Sequence, residues 1–160
     1  MLTAGVLTIS DRGWRGERED KSGEEIKRIL SASGADIIRY EIVPDEKDMI
    51  AQRLAQWADG GGVDLIVTTG GTGLSPRDVT PEATLSVVQK IVPGLPEAMR
   101  AEGRRKTPTA TLSRGVCGIR GRSLIVNLPG SPKAVRESLE VILPVLPHAI
   151  EVLKGEVVDG

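Results

Sequence analysis

The stretch "VTTGGTGLSPRDVTPEAT", Val67 to Thr84, decides the fold. It begins as the end of a short apolar run, "VDLIVTT", which has the continuous hydrophobicity of a strand buried on both faces. Glycines at 70, 71 and 73 then break the strand, and Thr80-Pro81 has the form of a helix start, with Thr at the N-cap and Pro at the first helical position. A buried strand that passes through a glycine turn into a helix is the repeating unit of a sheet flanked by helices.

Working outward, the same unit recurs. Leu2 to Ile9 reads as a buried strand, followed by a polar, glycine-broken loop, "SDRGWRGERED". "SGEE", Ser22 to Glu25, fits a capping box for a helix running to about Ser33. "DIIRYEIV" is the next strand, and Pro44-Asp45 opens a helix with Ile50, Leu54 and Trp57 at helical spacing, stopped by "DGGG". After the central stretch, the helix from Thr80 is expected to run to about Ile91, and "VPGLPEAMRAEGRRK" holds a turn and a further helix. "TATLSRGVCGIRG" leads as a loop into a short strand. "SLIVNLP" is another buried strand, and "GSP" repeats the glycine turn and helix start before "KAVRESLEVIL". Pro144 breaks that helix, and "PHAIEVLKG" forms the last one. The alternation predicts a three-layer α/β/α fold with a mostly parallel central sheet. Residues 1–155 are expected to form one domain and 156–160 a disordered tail.

Composition narrows the function. With 160 residues, 39% apolar and 27% charged, the balance is that of a globular domain. Aromatics are only 2%, with no Phe, so base stacking on single-stranded nucleic acid is not expected. A net charge of −1 argues against coating DNA or a membrane surface. The N-terminus reads as a strand rather than a leader, no apolar run is long enough to cross a bilayer, and the single Cys117 excludes an internal disulfide. A cytoplasmic location is expected.

In sheets of this kind ligands bind beyond the carboxyl ends of the strands. Four segments should converge there: Ser10-Asp11-Arg12, Pro44-Asp45, Gly70-Gly71-Thr72-Gly73 and Pro129-Gly130-Ser131-Pro132-Lys133. The glycines allow close approach of backbone N–H groups to an anion, unless they simply close a tight turn. The spacing is neither that of a Walker A loop nor G-x-G-x-x-G. A carboxylate beside a phosphate site is unfavourable without a cation, so Asp78 suggests Mg²⁺; its other reading is a turn or helix-capping residue, and that of Asp45 a helix cap. Ser131 reads equally as an N-cap or, with Lys133, as an anion ligand. Ser113 and Arg114 in "LSR" are similar candidates. Arg104, Arg105 and Lys106 read as a solvated helix face or the wall of an anionic pocket. His148 reads as a surface or packing residue, and Cys117 as a small core residue. With one His and one Cys there is no zinc cluster, and no nucleophile has a neighbouring base.

"TISDR", "VPDE", "GGTG…RDVTPEAT", "LSRGVCGIRG" and "LIVNLPGSPKAV", in this order across essentially the whole chain, resemble the molybdenum-cofactor biosynthesis family, in particular its molybdopterin adenylyltransferases and the gephyrin G domain. The resemblance implies transfer of AMP from ATP to the terminal phosphate of molybdopterin with Mg²⁺ present, and release of pyrophosphate. It points to Asp45 and Asp78 as the catalytic and metal-binding pair. It points to Ser10, Asp11, Gly70, Gly71, Thr72, Gly73, Ser113, Arg114, Pro129, Gly130, Ser131 and Lys133 as substrate-binding residues. It also implies a homotrimer and handover of product to a molybdenum-insertion protein. A sister branch shares "GGTG" but often lacks the full "RDVTPEAT". The competing readings are a molybdopterin carrier without chemistry, a scaffold and a generic nucleotide hydrolase.

Overall fold

The computed structural model of the protein describes residues 2–156. A six-stranded sheet has the order β2-β1-β3-β6-β5-β4. Its strands are β1 (Thr3–Ile9), β2 (Asp36–Val43), β3 (Leu65–Thr69), β4 (Lys90–Ile91), β5 (Cys117–Arg120) and β6 (Ser123–Leu128). The four strands β2, β1, β3 and β6 run parallel, and β5 and β4 are added antiparallel at one edge. Helices α1 (Asp11–Trp14), α2 (Lys21–Ala32), α3 (Lys47–Gly60), α4 (Thr80–Leu85), α5 (Gly94–Lys106), α6 (Pro132–Ile142) and α7 (Leu146–Leu153) complete the chain, with 3-10 turns at Pro108–Leu112 and Leu143–Val145.

Alternate residues of each central strand serve opposite faces of the sheet. Ala4, Val6, Leu65, Val67, Leu124 and Val126 pack under α2, α6 and α7 through Ile26, Leu30, Val135, Leu139, Ile142 and Ile150. Leu7, Ile9, Ile66 and Ile125 pack under α3 and α4 through Ile50, Leu54, Trp57 and Ala83. Because both faces are covered, β3 is apolar or buried throughout, which is why "LIVTT" shows no alternation in sequence. Gly5 lets the Trp57 ring lie on β1: a Cβ there would sit 2.9 Å from Trp57 Cε3. The connections leave β1 over one face and return to β3 over the other, so the sheet order reverses between β1 and β3 and leaves a crevice at their carboxyl ends.

Several local expectations are corrected. The N-cap of α2 is Asp20, whose side chain accepts from Gly23 N; Ser22 is buried inside the first turn and its hydroxyl donates to Gly130 O at 2.5 Å. The polar loop after β1 contains a short helix, α1, capped by Ser10. Asp45 precedes the N-cap of α3, which is Glu46 without a side-chain bond. Thr80 is the first residue of α4 rather than its cap, and α4 ends at Leu85, because Gln89, Lys90 and Ile91 pair with β5 instead. Helix α6 matches its expectation: Ser131 caps it by accepting from Ala134 N at 3.2 Å. Of the expected tail, Glu156 bonds to Glu151 O at 2.9 Å, and 157–160 lie outside the described residues.

Candidate active site

The glycine turn after β3 is held in one conformation. Gly70 and Gly71 have φ of +97° and +68°, the left-handed region that L side chains avoid. A Cβ on Gly70 would collide with the Ile9 carbonyl oxygen, and one on Gly71 with Thr80 Oγ1. Thr80 closes the loop on itself, its hydroxyl donating to Gly70 O at 3.0 Å and its N–H to Gly71 O at 3.1 Å. Thr69 Oγ1 donates to Pro129 O at 2.6 Å, which ties this turn to the one after β6. Gly73 leaves room for Asp78 to fold back: a Cβ there would lie 2.9 Å from Asp78 Oδ2.

Two cavities flank this loop. The larger, about 790 Å³, lies over the carboxyl ends of β1 and β3 and is lined by Ser10, Asp45, Gly70, Gly71, Asp78, Gly130 and Ser131, among others. The smaller, about 360 Å³, lies between α5, the 3-10 turn and α6, with Thr72, Gly73, Ser113 and Pro129 in its wall beside Met99, Leu112 and Ala134. Ser131 lines both, and the loop from Gly70 to Gly73 is the partition between them. All four expected segments therefore reach the crevice, although three of the expected substrate-binding residues, Lys133, Asp11 and Arg114, line neither cavity. Lys133 is exposed on α6. Asp11 is engaged with Arg77 and with the backbone of Asp45. Arg114 is committed to the loop: its guanidinium donates to Gly73 O at 2.8 Å, Asp78 O at 2.8 Å and Glu82 Oε2 at 2.7 Å, and its own N–H to Thr72 O at 2.9 Å.

Sequence reading missed Arg18, Asp20, Lys21 and Thr8, all in the wall of the larger cavity. Arg18 and Lys21 bring positive charge, and the N-terminus of α2 opens onto the same space, so the polar segment "REDK" contributes to the site. The signal in the sequence is "REDKSG" ahead of an amphipathic helix, in which Asp20 and not Ser22 is the cap. The run Arg104-Arg105-Lys106 is the last turn of α5, where Arg105 pairs with Glu102 and Lys106 with Glu137. His148 is exposed, and burial pushes the Cys117 thiol up to about 12, leaving it inert.

Asp45 and Asp78 both line the larger cavity, and among the described residues neither has a Lys or Arg salt-bridge partner, whereas Asp11, Glu46 and Glu82 around them are each paired with an arginine. Glu19 and Asp20 in the same wall are not paired with a cation either, but Asp20 is occupied by Gly23 N, Thr8 Oγ1 and the Tyr40 hydroxyl. Asp45 Oδ2 accepts from Asp11 N at 3.0 Å and Asp78 Oδ2 from Ser75 N at 3.0 Å. Burial holds the Asp45 carboxyl above its ordinary range, and the negative charges of Asp11 and Asp78 push it further the same way against the opposing Asp11 N–H. Two under-neutralised carboxylates on one wall suit a hard divalent cation that takes its remaining oxygens from phosphate or water. Among the described residues no group of three or more His, Cys, Asp or Glu forms a closed metal cage.

The geometry is that of an α/β protein with a crevice at the switch point of its sheet, lined by a glycine loop, a helix start and a carboxylate pair. Residues 5–148 match the family described as "Probable molybdopterin binding domain". The chain is 48% identical to the molybdopterin adenylyltransferase of Helicobacter pylori, over 94% of this chain and 87% of that one. It is 46% identical to the molybdenum cofactor synthesis protein cinnamon of Drosophila melanogaster, over 98% of this chain but only 26% of that longer one. The crystal structure of the molybdopterin biosynthesis enzyme MoaB from Thermus thermophilus superposes with a TM-score of 0.92 at 57% identity, covering 97% of this chain and 98% of that one. The chain belongs to the molybdenum-cofactor biosynthesis family.

Proposed function

We propose that the protein is a molybdopterin adenylyltransferase, which transfers AMP from ATP to the terminal phosphate of molybdopterin. The observation that carries this reading is the pair Asp45 and Asp78, without cationic partners among the described residues, facing a cavity that adjoins a second one across the glycine loop. A reaction that joins two large substrates at one phosphorus needs two adjoining chambers, and a carrier of one ligand does not. The names of the relatives, molybdopterin adenylyltransferases in several bacteria, support the same activity.

In the proposed reaction an oxygen of the molybdopterin phosphate attacks the α-phosphorus of ATP. The bond from that phosphorus to the bridging oxygen breaks, and pyrophosphate leaves with the electron pair. The nucleophile is already ionised at neutral pH, so no histidine base is needed. Backbone N–H groups of the glycine loop, Ser10, Gly130 and Ser131, the cations Arg18 and Lys21 and the start of α2 hold the phosphates in line. Asp45 and Asp78 would hold Mg²⁺, which supplies charge neutralisation at the α-phosphate. Thr72, Gly73, Ser113 and Pro129 would face the substrate in the smaller chamber, and Arg114 would act by shaping the loop.

We also propose that the chain acts as a single-domain, cytoplasmic homotrimer that passes its product to a molybdenum-insertion protein. The β4 edge, with Ile91 and nearby Leu85 exposed, offers apolar surface for such an assembly to cover. Among the described residues no helix is long and apolar enough to cross a membrane. The activity is tested by measuring pyrophosphate release from ATP and Mg²⁺ with and without molybdopterin. Release only when the pterin is present is expected; tight pterin binding without release would make the protein a carrier.

A further inference from the structure

Arg77, the neighbour of Asp78 in sequence, is half-exposed and lies outside both cavities, yet its side chain is engaged by two carboxylates. Its guanidinium donates to Asp11 Oδ2 at 3.1 Å, to Asp11 Oδ1 at 2.9 Å and to Glu46 Oε1 at 3.2 Å. Asp11 in turn exchanges bonds with Asp45: Asp11 N donates to Asp45 Oδ2 at 3.0 Å, and Asp45 N donates to Asp11 Oδ1 at 2.9 Å. Asp78 follows Arg77 directly and is folded into its own turn, its N–H on Ser75 O at 2.9 Å and its Oδ2 accepting from Ser75 N. A continuous bonded path thus runs from the loop of Asp78, through Arg77 and Asp11, to the carboxylate of Asp45.

We propose that Arg77 and Asp11 are positioning residues that fix the separation of Asp45 and Asp78, and thereby tune the affinity of the carboxylate pair for its divalent cation, rather than ligands of a substrate phosphate. The inference rests on the reading of Asp45 and Asp78 as that pair. An exposed ion pair contributes little to stability, because solvent screens it and ordering the side chains costs entropy. A two-pronged arginine–carboxylate contact is nevertheless directional, and it holds loops that are 66 residues apart in sequence at one distance. Both oxygens of Asp11 are engaged by Arg77, one of them also by Asp45 N, and Asp11 does not line the cavity, so a shape role is the one its bonds support. Arg77 itself lines neither cavity, so its bonds to Asp11 and Glu46 are made without facing the space in which phosphates would lie.

The test uses the full chain with Mn²⁺ as the probe cation and α,β-methylene-ATP as a non-reacting nucleotide. Mn²⁺ affinity in the ternary complex is read by electron paramagnetic resonance, and nucleotide affinity is read separately in EDTA. For Arg77→Gln and Asp11→Asn the expected result is Mn²⁺ binding weakened about tenfold, as for loss of a group that orients a metal ligand. Metal-free nucleotide affinity and Tm should stay at the wild-type values. The double variant should be no worse than either single one, because both cut the same path. Weakened nucleotide binding in EDTA would show that Arg77 contacts phosphate and would overturn the proposal. Unchanged Mn²⁺ affinity in both variants would overturn it too, and a lowered Tm with unchanged Mn²⁺ affinity would reduce the pair to a structural role. If Asp11→Asn does not fold, the exposed Arg77→Gln carries the test. These readouts need no turnover, so a wild-type protein that fails to release pyrophosphate would sink the transferase assignment without deciding this question.

Discussion

Two strand-to-helix turns that look alike in sequence do different work. After β3 the chain passes through Gly70 and Gly71 at positive φ, against the Ile9 carbonyl and Thr80, and runs on to Thr80 before α4 begins. After β6 it passes through Gly130, whose φ is not positive, and enters α6 almost at once under the Ser131 cap. A Cβ on Gly130 would meet only Gly70 Cα at 3.6 Å, an ordinary contact. The glycine after β6 is a matter of packing convenience, whereas those after β3 are a conformational requirement. The two turns lead into different segments. The first turn has to present a loop bearing Asp78 to the crevice and bring it back to Asp45; the second lines the same crevice with Gly130 and Ser131 and starts a helix at once. Similar glycine-proline punctuation therefore marks both a loop that depends on its glycines and a turn that does not, although both border the crevice, and the backbone angles tell them apart.

The sharpest way to break this comparison is Gly70→Ala, which should destabilise the fold by about 3 kcal/mol or more, since both the positive φ and a backbone oxygen oppose the methyl group and neither can move aside. Urea unfolding would check it. Asp78→Asn comes next: turnover should fall on the order of 10²-fold or more, as for removal of a group that stabilises developing charge, with the melting temperature kept because the amide oxygen can still accept from Ser75 N. Ser131→Ala should cost about 1 kcal/mol through the lost cap of α6, read in the same unfolding experiment.

Asp45→Asn should change stability in the opposite sense. Burial raises the Asp45 pKa above its unfolded value, so the folded state binds this proton more tightly than the unfolded one and is penalised as pH rises above about 4. Metal-free Asp45→Asn should therefore melt higher than wild type at pH 7, with the gap closing as pH falls through the carboxylate range, while its turnover is lost. Thermal melts in EDTA at several pH values would decide it. Gly130→Ala is the smallest effect, within about 0.5 kcal/mol of wild type. A large loss there would erase the distinction between the two turns.

The parallel α/β core was legible because its strands are short apolar runs separated by glycine turns and amphipathic helices, a pattern that local chemistry writes into the sequence. The convergence of Ser10, Asp45, Gly70 and Ser131 came from that topology alone. The features that were not legible depend on contacts between distant segments. The chain after Leu85 has enough helix-forming residues to continue, but Lys90 and Ile91 find partners in β5, and pairing overrides propensity. Ser22 looks like a cap until Gly130 O is brought to it from 108 residues away. Arg114 looks like a phosphate ligand until Glu82 and the carbonyls of Gly73 and Asp78 are seen to hold it. A basic residue near a glycine loop is a phosphate ligand only if its charge is not already engaged, and sequence does not show that.

The central claim is that the loop after β3 exists to set Asp78 and Asp45 beside a phosphate undergoing transfer. It is tested most directly by incubating wild type and Asp78→Asn with ATP, Mg²⁺ and molybdopterin and quantifying adenylyl-molybdopterin by mass spectrometry beside pyrophosphate. The account predicts the two products in equal amounts from wild type and almost none from the variant. Equal yields from both proteins would contradict it.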